Sequence, residues 1–206
     1  MLTLYGAKGS GAAAVEAALR IAEVPFRWVE AASWEPGPGL EELKRVNPLA
    51  QIPTLVLDDG TVMTESAAIL IGLGLRYPRS GLLPAEPAQT IRGLVYIAAN
   101  CYAAIGVIDY PERFCAPCDD AMSERIRAGA RARLHEYWRL FADQFGAHMK
   151  PEQPGALDLL AAVVSRWSGA RAHLKEKRAA FHAMLERVEA DSRIADIFQR
   201  HWPAKA

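Results

Sequence analysis

Residues 47–70 read NPLAQIPTLVLDDGTVMTESAAIL, and the fold is decided here. Thr54 to Asp58 and Thr61 to Thr64 read as two strands. Asp59-Gly60 between them offers the positive φ of a tight turn, which predicts an antiparallel hairpin. The hairpin opens on Gln51-Ile52-Pro53. Proline has no N–H and is tolerated in a sheet only at a strand start or an edge, and it pushes the preceding Ile52 into an extended conformation. The N–H and C=O of Ile52 are then a docking edge for another extended peptide unit. The hairpin closes on Glu65-Ser66, where a strand becomes a helix. Free backbone N–H groups and the positive end of the helix dipole converge there on a carboxylate. Ser66 can add its hydroxyl, and Glu65 can receive an ammonium. Each feature alone also has a plain structural reading, as a strand boundary and as a capped helix start.

Working outward, Met1 to Tyr5 forms a short strand, and Val15, Ala18, Leu19 and Ala22 then recur at helical spacing, with Glu16 and Arg20 sharing the wet face. Phe26 to Glu30 is a second strand, followed by the loop AASWEPGPG and a short helix from Leu40 to Val46. Ala67 to Tyr77 is a helix that stops at Pro78. The front half therefore has the order β-α-β-α-β-β-α. PRSGLLPAEP follows as a linker, and the rest is helical by pattern. Ile126, Ala130, Leu134, Phe141 and Phe145 make one apolar stripe; Ile194, Ile197 and Phe198 make another, with Asp191 or Ser192 placed to cap its start. The predicted division is a mixed domain over 1–78, a linker over 79–86 and an all-helical bundle over 87–206.

Composition excludes several classes of function. The 206 residues are 51% hydrophobic, enough for a real core. Lys plus Arg equals Asp plus Glu at 24 each, so there is no basic surplus to condense on nucleic acid or acidic lipid. No apolar run reaches about 18 residues without a charge or break, and no basic leader precedes an apolar segment. The expectation is a cytoplasmic protein with neither a nucleic-acid nor a membrane partner. Three cysteines make no disulfide framework and fit a reducing compartment.

An extended peptide edge beside paired sites for a carboxylate and an amine matches the γ-glutamyl end of glutathione. Together with the spacing N-P-x-x-x-I-P, a hairpin ending in Glu-Ser and an all-helical second half, this stretch resembles the glutathione transferase family. That family joins a thioredoxin-like α/β domain to a helical bundle. The resemblance covers the whole layout, including LLPAEP as linker, FHAMLERVEADSRIADIF in the late-helix region and YGAKGSGAAAVEAAL, which is similar to the bacterial-type classes. It implies that glutathione is the co-substrate, held at Gln51, Ile52, Pro53, Glu65 and Ser66, with a cis bond before Pro53. It also implies a homodimer; no metal is expected, because Cys115 and Cys118 have no second ligand pair at suitable spacing.

Members of the family activate the thiol with a Tyr, Ser or Cys near the first strand or helix. The candidates are Ser10 and Tyr5. Ser10 lies between Gly9 and Gly11 at the predicted start of the first helix, where its hydroxyl and the helix dipole would favour the ionised sulfur. It can equally be a simple cap. Tyr5 is the runner-up and reads more naturally as a packing residue. A small apolar electrophile should sit between the first loop and the first long helix of the back domain, lined by Tyr102, Ile105, Ile108 and Tyr110. Asn100 is a further candidate for reaching glutathione across a dimer, as in some relatives, against the plain reading of a polar helix position. The same site would serve a glutathione-dependent disulfide reductase or isomerase, or a binding protein of this fold without turnover. Two features depart from the family. Gly155-Ala156-Leu157-Asp158 lacks the hydroxyl of the usual Ser/Thr-x-x-Asp capping box, and Cys115-Ala116-Pro117-Cys118 falls in the helical half, away from the strand-to-helix setting of a thioredoxin dithiol.

Overall fold

The computed structural model describes residues 1–32 and 34–203. The front half folds as β1 (Leu2–Gly6), α1 (Ala12–Ile21), β2 (Phe26–Glu30), α2 (Pro38–Val46), β3 (Thr54–Val56), β4 (Val62–Met63) and α3 (Ser66–Arg76), in the thioredoxin-like order the sequence predicts. The sheet runs β2-β1-β3-β4. β1 and β2 are parallel, with α1 as the crossover, whereas β3 pairs antiparallel with both β1 and β4. The hairpin strands are shorter than predicted. Asp59 Oδ1 accepts from Thr61 N at 2.9 Å and Gly60 takes φ +86°, so residues 58–60 form the turn. A side chain that bonds the backbone two residues on competes with the ladder for those groups.

The back half is helical: α4 (Ala88–Tyr96), a π-helical turn (Ile97–Tyr102), α5 (Ala103–Asp109), α6 (Asp120–Phe145), α7 (Ala156–Val164), α8 (Ala170–Lys177), α9 (Ala179–Glu189) and α10 (Ala195–His201). The segment Ala88–Asp109 has the length and apolar composition of a membrane-crossing helix. Leu94, Ile97, Cys101 and Ile105 of this segment lie in the core. On α6 the buried stripe is Leu134, Trp138, Phe141 and Phe145; Ile126 and Ala130, predicted to belong to it, are only half-buried. Ala130 packs against the edge of the core, and nearby Arg127 Nε donates to Ile108 O of α5 at 3.2 Å. Asp119 caps the helix by accepting from Met122 N. At the late stripe neither Asp191 nor Ser192 caps the helix: α10 starts after Ile194 with no side-chain cap, and Asp191 Oδ1 instead accepts from Arg193 N in the turn before it.

One apolar core runs through both halves, from Leu4 and Leu19 to Leu160 and Phe198. Every residue of α7 is buried, the pattern of a helix surrounded on all sides. Its start explains the missing capping hydroxyl. A Cβ on Gly155 would lie 3.0 Å from Leu82 O and 3.3 Å from Gly81 O, so glycine lets the linker backbone approach, and Ala156 N donates to Leu82 O at 2.9 Å. Asp158 keeps its half of the box, accepting from Gly155 N at 3.0 Å and from Lys150 N at 2.7 Å. Burial nevertheless pushes its carboxyl up to about 6.

The structure corrects one reading of α1. Arg20 is exposed as predicted and pairs with Asp196, but Glu16 is buried. Its carboxylate accepts from His201 Nε2 at 2.8 Å and from Arg200 Nη1 at 2.9 Å. The polar face of α1 is covered by α10, so the position that looks wet by local period is the seat of a clasp between residues 185 apart.

Candidate functional site

A cleft of about 550 Å³ opens between the two halves. Its front wall is built from backbone. Gln51, Ile52 and Pro53 line it, and the Ile52–Pro53 peptide is cis. Buried Asn47 fixes this edge: its Nδ2 donates to Gln51 O at 3.1 Å and to Thr54 Oγ1 at 2.9 Å, while its Oδ1 accepts from Leu49 N. Thr54 Oγ1 also donates to Gln51 O at 2.8 Å. The carbonyl of Gln51 is thus turned inward, and among the described residues Ile52 N–H and C=O bond no protein group. Sequence reading did not assign Asn47 a role, although the Asn-Pro pair was in view.

Glu65 and Ser66 stand at the corner of the same wall. Glu65 takes φ +61°, a conformation that a residue with a Cβ adopts rarely and holds only where its surroundings impose it. It turns the chain into α3, whose first residues, Ser66 and Ala67, line the cleft. The first N–H groups of a helix have no intrahelical acceptor, an arrangement that can receive an anion.

The third element is the loop from Ala7 to Gly11 that leads into α1. Ser10 is buried here and lines the cleft. Its hydroxyl donates to Ala7 O at 2.7 Å and accepts from Ala7 N and Ala12 N at 3.3 and 3.2 Å. The loop is held from behind by His201, whose Nδ1 accepts from Gly9 N at 3.1 Å. An imidazole that accepts at Nδ1 carries its hydrogen on Nε2, which fits the bond from Nε2 to Glu16. Burial raises the Glu16 pKa, but the hydrogen bonds from His201 and Arg200 outweigh it, and the carboxyl titrates below its ordinary value. Tyr5 faces the other way, among Leu40 and Leu43, and its hydroxyl donates to Glu42 Oε1 at 2.8 Å. It lies outside the cleft lining.

The rear wall is made of side chains. Tyr102, Ile105 and Tyr110 line it as the sequence predicts. Ile108 does not; it is buried in the core. Tyr102, Ile105, Gly106 and Asp109 all face the cleft at i, i+3, i+4 and i+7, and position 108 falls off that stripe. Asn100 is also outside the lining, with its Nδ2 donating to Tyr96 O at 3.1 Å. Trp34, Trp167 and Phe114 complete the apolar lining and were not foreseen. Trp167 packs against Tyr102 with ring centroids 5.6 Å apart. From sequence, such aromatics are indistinguishable from core residues.

Cys115 and Cys118 are free thiols in the segment between α5 and α6. Cys115 Sγ donates to Pro117 O, Cys118 Sγ lies 3.3 Å from Ser123 Oγ, and burial raises the Cys115 pKa. Neither residue lines the cleft.

Residues 12–74 match the family model for the N-terminal domain of glutathione S-transferases. Over 131 residues, 61% of this chain and 63% of the relative, the chain is 34% identical to the uncharacterized GST-like protein YncG of Escherichia coli (strain K12). Over 100 residues, 45% of this chain and 50% of the relative, it is 32% identical to the glutathione S-transferase GstA of Escherichia coli O157:H7. The chain thus spans between half and 63% of the length of these two curated relatives. Among solved structures, the glutathione S-transferase from Xylella fastidiosa superposes with a TM-score of 0.79 at 21% identity, covering 98% of each chain. A glutathione transferase homologue from Sulfitobacter, solved with bound glutathione, gives 0.73 at 22% identity over 97% of each chain. At these identities the likeness is one of fold.

Proposed function

We propose that this chain, which belongs to the glutathione transferase family, binds glutathione along the front wall of the cleft and presents the ionised sulfur to a small apolar electrophile at the rear wall. The observation that carries this reading is the convergence on one cleft of a peptide edge at Ile52, unpaired among the described residues, the helix start at Ser66 and the N-terminus of α1. The cysteinyl unit of the tripeptide pairs with Ile52 as an added strand. The γ-glutamyl carboxylate meets Ser66 and the N–H groups of α3, and its ammonium meets Glu65. Gln51 stands beside this peptide edge. The sulfur then falls at the Gly9–Gly11 loop, where the helix dipole favours the thiolate.

The reaction needs little beyond this. The thiol proton leaves to solvent, the thiolate attacks, an S–C bond forms and the leaving group departs with the electron pair. Ile105, Trp34 and Trp167 supply an apolar, partly dry bed for the electrophile. The family resemblance supports assembly as a homodimer in the cytoplasm.

Titration calorimetry with glutathione tests the reading. Wild type should bind, and Glu65→Ala and Ser66→Ala should each lose about 1.5–3 kcal/mol of binding, the contribution of a charge-assisted hydrogen bond. Unchanged affinity in folded variants would remove the proposed corner subsite. A conjugation assay over a panel of apolar electrophiles then separates turnover from binding alone.

A further inference from the structure

Ser10 has one hydrogen to give, and it is directed to Ala7 O at 2.7 Å. To serve a sulfur in the cleft it would have to abandon a buried bond that holds its own loop. Another hydroxyl lies at the same place. Tyr102 reaches across from the helical half so that a Cβ built on Gly11 would sit 2.3 Å from its Oη and 3.5 Å from Pro53 Cδ. The phenol oxygen, the first turn of α1 and the proline of the peptide edge therefore meet at one point. Among the described residues Tyr102 Oη makes no hydrogen bond to the protein, and neither does Gly11 N–H.

Resting on the glutathione-binding reading above, we infer that Tyr102, contributed by the helical half, is the catalytic residue that donates its O–H to the glutathione sulfur. The placement depends on glycine at position 11, because any side chain there would occupy the space of the hydroxyl. Trp167 packs on the Tyr102 ring and limits its swing. Burial, with the negative charge of Glu65, pushes the phenol pKa well above its ordinary value. At neutral pH Tyr102 is therefore a donor with its proton in place, and it takes no proton from the thiol. Its hydrogen bond stabilises the thiolate and leaves with the sulfur's charge as the S–C bond forms.

The test is ultraviolet titration of bound glutathione thiolate against pH, with calorimetric affinity measured on the same samples. Tyr102→Phe should raise the apparent thiol pKa by at least about one unit, a tenfold loss of thiolate at neutral pH, with glutathione affinity changed less than threefold. Gly11→Ala should give a shift in the same direction with the hydroxyl still present but displaced. A ring-fluorinated tyrosine at position 102, whose phenol is a stronger donor, should lower the thiol pKa below the wild-type value and keeps the result readable where Phe perturbs folding. Ser10→Ala should shift it less than Tyr102→Phe. The reverse order, or an unchanged thiol pKa in Tyr102→Phe, overturns the assignment. Glutathione bound by wild type with an unlowered thiol pKa also overturns it and leaves the binding reading intact, whereas no binding by wild type overturns both.

Discussion

Two hydrogen-bonded knots hold the cleft in shape, and they differ in the length of chain they close. The knot at Asn47 ties Gln51 and Thr54 across at most seven residues. The clasp at Glu16 ties α1 to His201 across 185 residues, and through His201 it fixes Gly9. In isolation the longer loop costs about 3 kcal/mol more to close. It closes because the apolar faces of α1, α7 and α10 already bring its ends together. The Asn47 knot shapes an edge that the local sequence dictates, whereas the clasp exists only as a product of the complete fold.

The comparison is broken most forcefully at Glu16. Glu16→Ala removes the acceptor of both His201 and Arg200 and leaves the buried Nε2–H of the imidazole without a partner. The expected loss is about 3 kcal/mol, at the low end for a buried pair because the Arg200 side chain is 45% exposed. Urea unfolding measures it, and a loss below about 1 kcal/mol would show that α10 is held by its apolar contacts alone. Asn47→Ala should cost about 2 kcal/mol, since it removes the three hydrogen bonds of the Asn47 amide and leaves Gln51 O and Thr54 Oγ1 only each other. Its effect should be confined: amide exchange should quicken over residues 47–54 and not over 195–201. Spread of that change to α10 would mean the two knots act as one.

Two buried carboxylates sharpen the contrast through opposite pH profiles. Glu16 titrates below its ordinary 4.5. Its contribution is therefore present above that value and is lost as pH falls through the lower folded value, so wild type should lead Glu16→Gln at neutral pH and converge with it in acid. Asp158 is pushed up to about 6 from 3.8, so its contribution is full in acid and is lost as pH rises through about 6. Relative to Asp158→Asn, wild type should lose stability between about pH 4 and 6. Parallel profiles for the two pairs would contradict the environments described for them. The smallest effect belongs to Arg20→Ala, which breaks an exposed pair with Asp196 beside the same clasp and should cost no more than about 0.5 kcal/mol.

Legibility from sequence follows the same division. The hairpin, the Ile52 edge and the Glu65-Ser66 corner are local, and residues 47–70 contain every group needed to read them. Glu16 could not be read, because local period groups it with Arg20 on a polar face, and nothing near it reports a helix arriving from position 195. The rear wall was half legible. Tyr102 and Ile105 were read from their place on a helix, but Ile108 was assigned without regard to the angle separating it from Tyr102. Trp34 and Trp167 come from distant segments whose meeting only the tertiary packing decides. Ser10 was found by its glycine neighbours, yet its bond to Ala7 O depends on loop geometry that those neighbours permit and do not specify.

The bond from Gly9 N to His201 Nδ1 has a consequence for how the protein is made. During synthesis the sheet, α1 and the hairpin can emerge and pair early, since their contacts are short-range and quick to form. The loop beside α1 lacks its anchor until residue 201 has cleared the ribosome and α10 has docked. A nascent chain halted before that point would display the Ile52 edge and the start of α3 while the Gly9 loop still lacks its anchor, so the two sides of the cleft are set at different times.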